Sequence, residues 1–257
     1  MAYIAVDIGA TKTRIAASPD MEKFVDPIIF DTPEDCDREL ELISKTARDL
    51  SGGDMRGIAM GKPIWLWRER DFRGELASIM QVPVVAENDT ALVGLGEAHN
   101  GAGKGAGILA YITVSTGVGG VRLTSGRIDA SRYGFEVGGQ YLASEGTVSL
   151  EDMISGRAIH KRFGVHPKEL GKDHPVWEEL AKILAYGVHN TILHWSPERV
   201  VIGGSMMNEI GIPVDRVTYH VGAIMKKFSE VPEIVHSELG DLGGLWGGLA
   251  RLRQEDK

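Results

Sequence analysis

The chain has 257 residues, 43% hydrophobic and 25% charged, with 28 Lys and Arg against 36 Asp and Glu for a formal net charge of -8. This fits one large or two medium globular domains with a real core, and an acidic balance without any Lys/Arg-rich block speaks against a nucleic-acid partner. Cys36 is the only cysteine, which excludes an intrachain disulfide and a thiolate metal cluster. With no basic leader and no long apolar span, the expectation is a cytoplasmic protein without a membrane partner.

Tyr3-Ile4-Ala5-Val6 and Thr13-Arg14-Ile15-Ala16-Ala17-Ser18 flank Asp7-Ile8-Gly9-Ala10-Thr11-Lys12, and the spacing predicts a hairpin with Asp7 at the tip of its first strand. An acid able to hold hydrated Mg2+, a glycine that lets backbone N–H groups approach an anion, and Thr and Lys donors suit nucleotide phosphates. The same six residues also fit a plain polar turn. A third strand is predicted over 24–30, with Pro27 marking an edge or bulge. Leu40, Leu42, Ile43, Ala47 and Leu50 recur at helical spacing over 34–50, and Gly52-Gly53 closes that segment. A buried strand at 57–61 ends in Gly61-Lys62-Pro63, a turn on the side of Asp7; a helix at 73–81 and a strand at 82–85 follow. The order βββαβαβ is that of an α/β layer.

The last of these strands runs into Glu87-Asn88-Asp89-Thr90 and a helix over 91–98. Ligands of α/β folds collect at such strand-to-helix junctions, where a carboxylate can accept a proton from a hydroxyl. The local pattern fits a helix cap at Asn88, Asp89 or Thr90 at least as well. The Gly-rich stretch 100–107 lacks both the Walker spacing and G-x-G-x-x-G, and reads as a flexible connection between halves.

The second half opens with a strand over 108–114, then Ser115-Thr116-Gly117-Val118-Gly119-Gly120, another strand at 121–123 and a turn at Ser125-Gly126. This repeats the design of the first hairpin and adds a second Gly-containing loop suited to phosphate. Glu136 and Glu151 are acids beside glycine-rich turns, at 134–139 and 146–151, and a short helix carries Met153 and Ile154. Leu180, Ile183, Leu184, Val188 and Ile192 line one face of a long helix over 175–195, on which His189 and His194 are not placed as a metal pair. A strand at 199–202 ends in Gly203-Gly204, which allow close backbone approach by adenine or ribose, and the Gly-rich tail at 243–250 reads as a final helix packed tightly on a sheet.

With the D-x-G-x-T-K run at 7–12, Glu87-Asn88-Asp89, the loop at 115–120, Glu136, Glu151 and Gly203-Gly204 in this order, the chain resembles the ROK (repressor, open reading frame, kinase) family of sugar kinases over nearly its whole length. The resemblance implies an α/β, two-domain, actin-like and hexokinase-like (ribonuclease H-like) ATPase fold that closes a cleft over ATP and a sugar. The first domain would be 1–106, completed by a C-terminal helix at 245–257, and the second 107–244. Asp89 would then be the general base and Asn88 a ligand of a sugar hydroxyl. Asp7 would hold Mg2+ through water; Gly9, Thr11 and Lys12 would contact phosphates; Thr116 and Gly117 would form the second phosphate loop. Glu136 and Glu151 would grip hydroxyls near the anomeric end of the ring, since a carboxylate accepts several hydrogen bonds. A homodimer is also implied.

Many family members carry G-E-I-G-H and a Cys-rich zinc loop ending in G-C-L-E. Here those positions read Phe135-Glu136-Val137-Gly138-Gly139 and Val148-Ser149-Leu150-Glu151, so no zinc site is expected and packing and hydrogen bonds must hold the two glutamates. The segment 61–67 is also shorter than the family's usual one. With no helix-turn-helix ahead of the first strand, the kinase branch is expected: an ATP- and Mg2+-dependent transfer to a hydroxyl, at C6, of a hexose or N-acetylhexosamine of the glucose or N-acetylmannosamine type. The rival readings are a non-catalytic sugar sensor and an ATPase of this fold with a non-sugar acceptor.

Overall fold

The computed structural model describes residues 1–143 and 147–255. The chain forms two compact units, one of residues 1–100 with the chain from Asp241 on, the other Gly101–Gly240.

The sheet of the first unit has the order β3-β2-β1-β4-β5, from β1 (Ala2–Ile8), β2 (Lys12–Ser18), β3 (Ile28–Asp31), β4 (Met55–Lys62) and β5 (Val84–Asn88). β1 pairs antiparallel with β2 and β2 with β3, whereas β4 pairs parallel with both β1 and β5. Alternation sends Ile4, Val6 and Ile8 of β1 into a core with α1 (Cys36–Ser51) and α2 (Phe72–Met80), and Tyr3 and Ala5 toward α8 (Gly243–Glu255), the last helix. Asp35 caps α1 by accepting from the Arg38 N–H, and Gly52 ends it in the left-handed region at φ 61°. Leu40 and Ile43 of α1 are buried in that core, each contributing about 1.5–3 kcal/mol.

The glycines of the tail have a steric task. A Cβ on Gly247 would lie 1.7 Å from the Leu92 carbonyl oxygen, and one on Gly96 2.3 Å from that of Gly243. α8 and α3 (Asp89–Asn100) therefore touch backbone to backbone. That contact brings the first turn of α8 to the carboxyl end of β1, where a Cβ on Gly244 would stand 2.4 Å from the Asp7 carboxyl carbon.

The second unit repeats this topology as β10-β9-β6-β7-β8, built from β6 (Ile108–Val114), β7 (Val118–Thr124), β8 (Arg127–Ile128), β9 (Arg199–Gly203) and β10 (Glu233–His236). Leu180, Leu184, Val188 and Ile192 of α6 (Val176–Trp195) share one buried cluster with Ala110, Ile112 and Val114 of β6. α4 (Leu150–Ile154), α5 (Gly156–Phe163) and α7 (Val214–Ile224) complete it. No helix among the described residues is long and apolar enough to cross a membrane.

Several expectations are corrected. Asp7 lies within β1, opposite Arg14 and Gly61 in the ladder, and not at the tip; the turn is residues 9–11. The strand expected over 24–30 is only Ile28–Asp31, beginning after Pro27, which cannot donate to a ladder. The strand expected at 82–85 is Val84–Asn88, again displaced past a proline, Pro83. α3 starts at Asp89 and runs to Asn100, longer than the expected 91–98. The last helix begins two residues early, at Gly243, and its expected end at 256–257 lies outside the described residues, as does the start of the expected turn at 146–151. α5, α7 and β10 are not anticipated from the sequence, although Ser155 and Gly164 cap α5 at its two ends.

Candidate active site

In the first unit, parallel pairing of β1, β4 and β5 places Asp7, Gly61 and Glu87-Asn88 at neighbouring carboxyl ends of strands, the side on which α/β sheets bind ligands. Gly61 leaves the gap open, for a side chain there would press on the Asp89 Cα at 3.2 Å. Asp7 is 7% exposed. Burial pushes its carboxyl up to about 7, Arg14 pulls it down, and the Asp89 and Asp241 charges add to the rise. The Arg14 guanidinium bridges two acids from the far ends of the chain, at 3.9 Å from Asp7 and 3.5 Å from Asp241.

Among the described residues, no three His, Cys, Asp or Glu side chains are grouped to hold a metal ion by themselves. Mg2+ seldom needs such a cage: it keeps its waters and takes one or two carboxylates with substrate phosphates. A buried acid, faced by further carboxylate charge and only partly neutralised by one arginine, fits that kind of cation.

Of the residues the local pattern offers as a helix cap, Asn88 is the one that caps. Asn88 Oδ1 accepts from the Ala91 N–H at 3.1 Å, so Asn88 caps α3. Asp89 is half-buried at the first helical position, with Oδ1 accepting from the Thr90 N–H at 2.8 Å. Burial raises its carboxyl; the backbone N–H bonds and the Lys62 charge lower it. Sequence reasoning places Lys62 in a turn on the side of Asp7 but gives it no role. Its ammonium donates to the carbonyls of Pro63 and Leu66, a fold-back made possible by the short segment after β4.

Gly9 and Lys12 close the first turn through the Gly9 N–H donating to the Lys12 carbonyl at 2.9 Å. Ala10, Thr11 and Lys12 are exposed. Lys12 is tied to Asp31 at 2.6 Å, across the β2–β3 edge, and must leave that exposed pair to meet a phosphate; such pairs are worth only about 0–1 kcal/mol, so the exchange costs little.

The second unit gathers its predicted residues at the carboxyl ends of β6 and β9. Thr116 is exposed at the tip of the loop 115–117, whose Ser115 carbonyl accepts from the Gly156 N–H at 2.7 Å. Glu151 underpins it: Oε2 accepts from the Val118 N–H at 2.8 Å, and Oε1 pairs with Arg157 at 2.9 Å. A Cβ on Gly117 would come 2.6 Å from Glu151 Oε2, which is why a glycine stands there. Gly204, at φ 98°, runs so close to β6 that a Cβ would meet the Val114 carbonyl oxygen at 2.3 Å; Gly203 ends β9 opposite Thr113.

Glu136 is exposed and precedes a 3-10 turn, Val137–Gly139, that packs on β7. A Cβ on Gly138 would lie 2.2 Å from the Val118 carbonyl oxygen, so this turn is set directly beside the Gly117 loop. Downstream, Asn190 of α6 donates to Gln140 Oε1 at 3.0 Å, the Leu150 N–H donates to the Gln140 carbonyl at 2.9 Å, and Ser149 and Asp152 form a capping box. These bonds hold the chain on both sides of residues 144–146, and bring Glu136 and Glu151 to the same end of the same sheet.

A family model described as the ROK family matches residues 3–255. The chain belongs to the ROK family. ROK relatives of this chain include a fructokinase of Pediococcus pentosaceus, 28% identical over 71% of this chain and 68% of its own length. A glucokinase of Halalkalibacterium halodurans is 25% identical, with 99% of this chain and 96% of that protein covered. Among solved structures, a ROK glucokinase of Streptomyces griseus in complex with glucose and AMPPNP superposes with a TM-score of 0.82 at 21% identity, covering 99% of this chain and 100% of that one. The actin-like ATPase fold of the ROK hexokinases is thus the fold of this chain. Within this ROK fold, Arg14, Asp241 and Arg157 are site neighbours with no signal in local sequence, because each acts through a partner brought to it by tertiary folding.

Proposed function

We propose that this chain is an ATP-dependent sugar kinase that transfers the γ-phosphoryl group to a hydroxyl, at C6, of a hexose or N-acetylhexosamine. The observation that carries the reading is the pair of carboxylates in the first unit: Asp7 and Asp89 share the carboxyl edge of β1 and β5, and the Asp89 charge adds to the raised proton affinity of Asp7 across the gap left by Gly61. Membership of a family whose relatives include glucokinases and fructokinases supports it.

Asp89 takes the role of general base. Burial raises its basicity above that of an ordinary aspartate, which favours removal of the hydroxyl proton as the oxygen attacks phosphorus. Lys62 and the N–H groups at the start of α3 oppose that rise by favouring the charged form. Asn88 holds Asp89 by a side-chain hydrogen bond and serves a sugar hydroxyl with its remaining amide N–H, its oxygen being engaged in the cap. Glu136 and Glu151 accept from ring hydroxyls, Glu151 through lone pairs beyond those used by Val118 and Arg157. Gly9, Thr11, Lys12, Thr116 and Gly117 serve the phosphates, and Gly203 and Gly204 the adenosine. Asp7 would hold Mg2+, which neutralises phosphate charge when bound. Little covalent work falls to the protein in such a transfer, so positioning and charge account for the rate.

Glucose and N-acetylmannosamine are the acceptors proposed first, and the fructokinase relative adds fructose. The deciding assay is Mg-ATP consumption against glucose, fructose, mannose, allose, glucosamine, N-acetylglucosamine and N-acetylmannosamine, with Asp89→Ala alongside. Turnover with one sugar that vanishes in Asp89→Ala supports the kinase. Sugar binding without turnover on any of them refutes it in favour of a sensor.

A further inference from the structure

Behind the phosphate turn, in the first unit, lies a chain of three side chains, two buried and the third, Thr32, half-buried, that the kinase reading does not use. Glu39 of α1 and Thr13 of β2 are each 0% exposed. Thr13 Oγ1 lies 2.6 Å from Glu39 Oε1 and 3.0 Å from Thr32 Oγ1. Thr32 Oγ1 in turn stands 2.9 Å from the carbonyl oxygen of Gly9, and the Thr32 N–H donates to the Thr11 carbonyl at 3.1 Å. The chain thus ends on the backbone of the turn between β1 and β2.

Counting protons settles its polarity. Three contacts link Glu39, Thr13, Thr32 and the Gly9 carbonyl, but the two hydroxyls supply only two protons and a carbonyl supplies none. All three contacts are hydrogen bonds only if the third proton sits on Glu39. The carboxylic acid then donates to Thr13, Thr13 to Thr32, and Thr32 to Gly9. If Glu39 ionises, the carboxylate takes the Thr13 proton, since charge-assisted bonds are the stronger. Thr32 can then serve either Thr13 or Gly9, but not both.

The surroundings favour the neutral acid. Among the described residues Glu39 Oε2 is buried without a hydrogen-bond partner, a heavy penalty for a carboxylate and a smaller one for a carbonyl oxygen. The core around it is apolar: β1 supplies Ile8, β2 Ile15, and α2 Phe72 and Leu76. No neighbouring charge among the described residues acts on Glu39 beside burial and the Thr13 bond, and several charged groups on the same elements are engaged elsewhere. Asp7 and Arg14 pair with each other on the opposite face of the sheet, Lys12 pairs with Asp31, and Asp37 and Glu75 pair with Arg70 at the surface. Burial accordingly pushes the Glu39 carboxyl up to about 7, with only the Thr13 bond opposing it.

We propose that Glu39 is a positioning residue, a buried carboxylic acid whose proton, passed along Thr13 and Thr32, anchors the Gly9 carbonyl and holds the phosphate turn in shape for nucleotide. Deprotonation turns the Thr13 proton toward Glu39 and leaves Thr32 one proton for two acceptors, Thr13 and the Gly9 carbonyl, so the anchor weakens and nucleotide affinity falls relative to a chain that cannot ionise. The nucleotide half of this proposal rests on the kinase reading; the proton half does not.

The test is carbon NMR of the intact protein, following the Glu39 carboxyl and Gly9 carbonyl signals against pH, in wild type and in Glu39→Gln. Glutamine keeps a donor toward Thr13 and cannot ionise. The two wild-type signals should titrate together with a midpoint near neutrality, and in Glu39→Gln the Gly9 signal should lose that component and keep only the response to Asp7. A Glu39 carboxyl already ionised in mildly acidic buffer, or a Gly9 signal that ignores it, overturns the proposal. Asp7 titrates in the same window in both proteins, so the readout is their ratio: calorimetric affinity for Mg-AMPPNP in the wild type should fall about 3- to 10-fold relative to Glu39→Gln across that titration, the worth of one hydrogen bond. Equal pH dependence in both proteins overturns the link to nucleotide. Failure of both to bind nucleotide at any pH refutes the kinase reading instead, and leaves the proton chain to be judged by the NMR titration. Thr32→Val, which breaks the chain without touching Glu39, should weaken Mg-AMPPNP binding at every pH; unchanged binding would also overturn the anchoring role.

Discussion

Asp7→Asn should make the ligand-free protein more stable while abolishing turnover, and the gain should grow with pH. Asp7 is buried among Gly244, Arg14 and the charges of Asp89 and Asp241, which raises its carboxyl from 3.8 to about 7. An acid that holds its proton more tightly folded than unfolded gives a stability that is greatest below the unfolded value. That stability falls as the pH rises from about 4 and stops falling above about 7. The full shift of about three pH units corresponds to roughly 4 kcal/mol, of which roughly 2 kcal/mol accrues between about pH 5.5 and about pH 8.5. Glu39, also raised by burial, adds the same slope to both proteins and cancels in the comparison. The N-terminal dipole of α8 works the other way, favouring the charged form, so the gap is bounded by that figure. Urea unfolding of both proteins at the two pH values, without nucleotide or Mg2+, measures it. A mutant no more stable at the higher pH, or a difference that does not widen with pH, would refute the assignment of Asp7 as a buried acid held at a cost in stability.

Asp89→Asn should remove most turnover yet leave sugar affinity within a few-fold, because the amide keeps the shape but accepts no proton; near-normal turnover in a steady-state assay would show that the base is another group. Glu136→Ala should raise the KM for sugar with little effect on ATP affinity, and an unchanged KM would remove Glu136 from the acceptor site. Gly247→Ala drives a methyl to within 1.7 Å of the Leu92 carbonyl oxygen. It should cost about 3 kcal/mol or more despite alanine's better helix propensity, and a midpoint equal to wild type in urea unfolding would mean that α8 does not meet α3 as described.

Much of this protein was legible in its residues because the signals are local. Turns such as 9–11 and 115–117 announce themselves through glycine and hydroxyl residues between β-branched runs, and α6 through an apolar stripe at helical spacing. The order of such signals sufficed for the family and the repeated α/β layers. The exact start of a strand was less accessible, since Pro27 and Pro83 act on the ladder as a whole and the ladder is a long-range object.

The chemistry of the candidate site was decided by tertiary structure. Whether Asp7 is an ordinary aspartate or a buried acid depends on Asp241 and Gly244, more than two hundred residues away. Glu39 looks like any first-turn helix acid until Thr13 and Thr32 are set against it. A side chain's type is written in the sequence, but its charge state and its partners are set by burial and by neighbours that only folding supplies. The residues therefore determined which groups and which fold this chain possesses, and the packing of α8 and α1 on the first sheet determined what those groups can do.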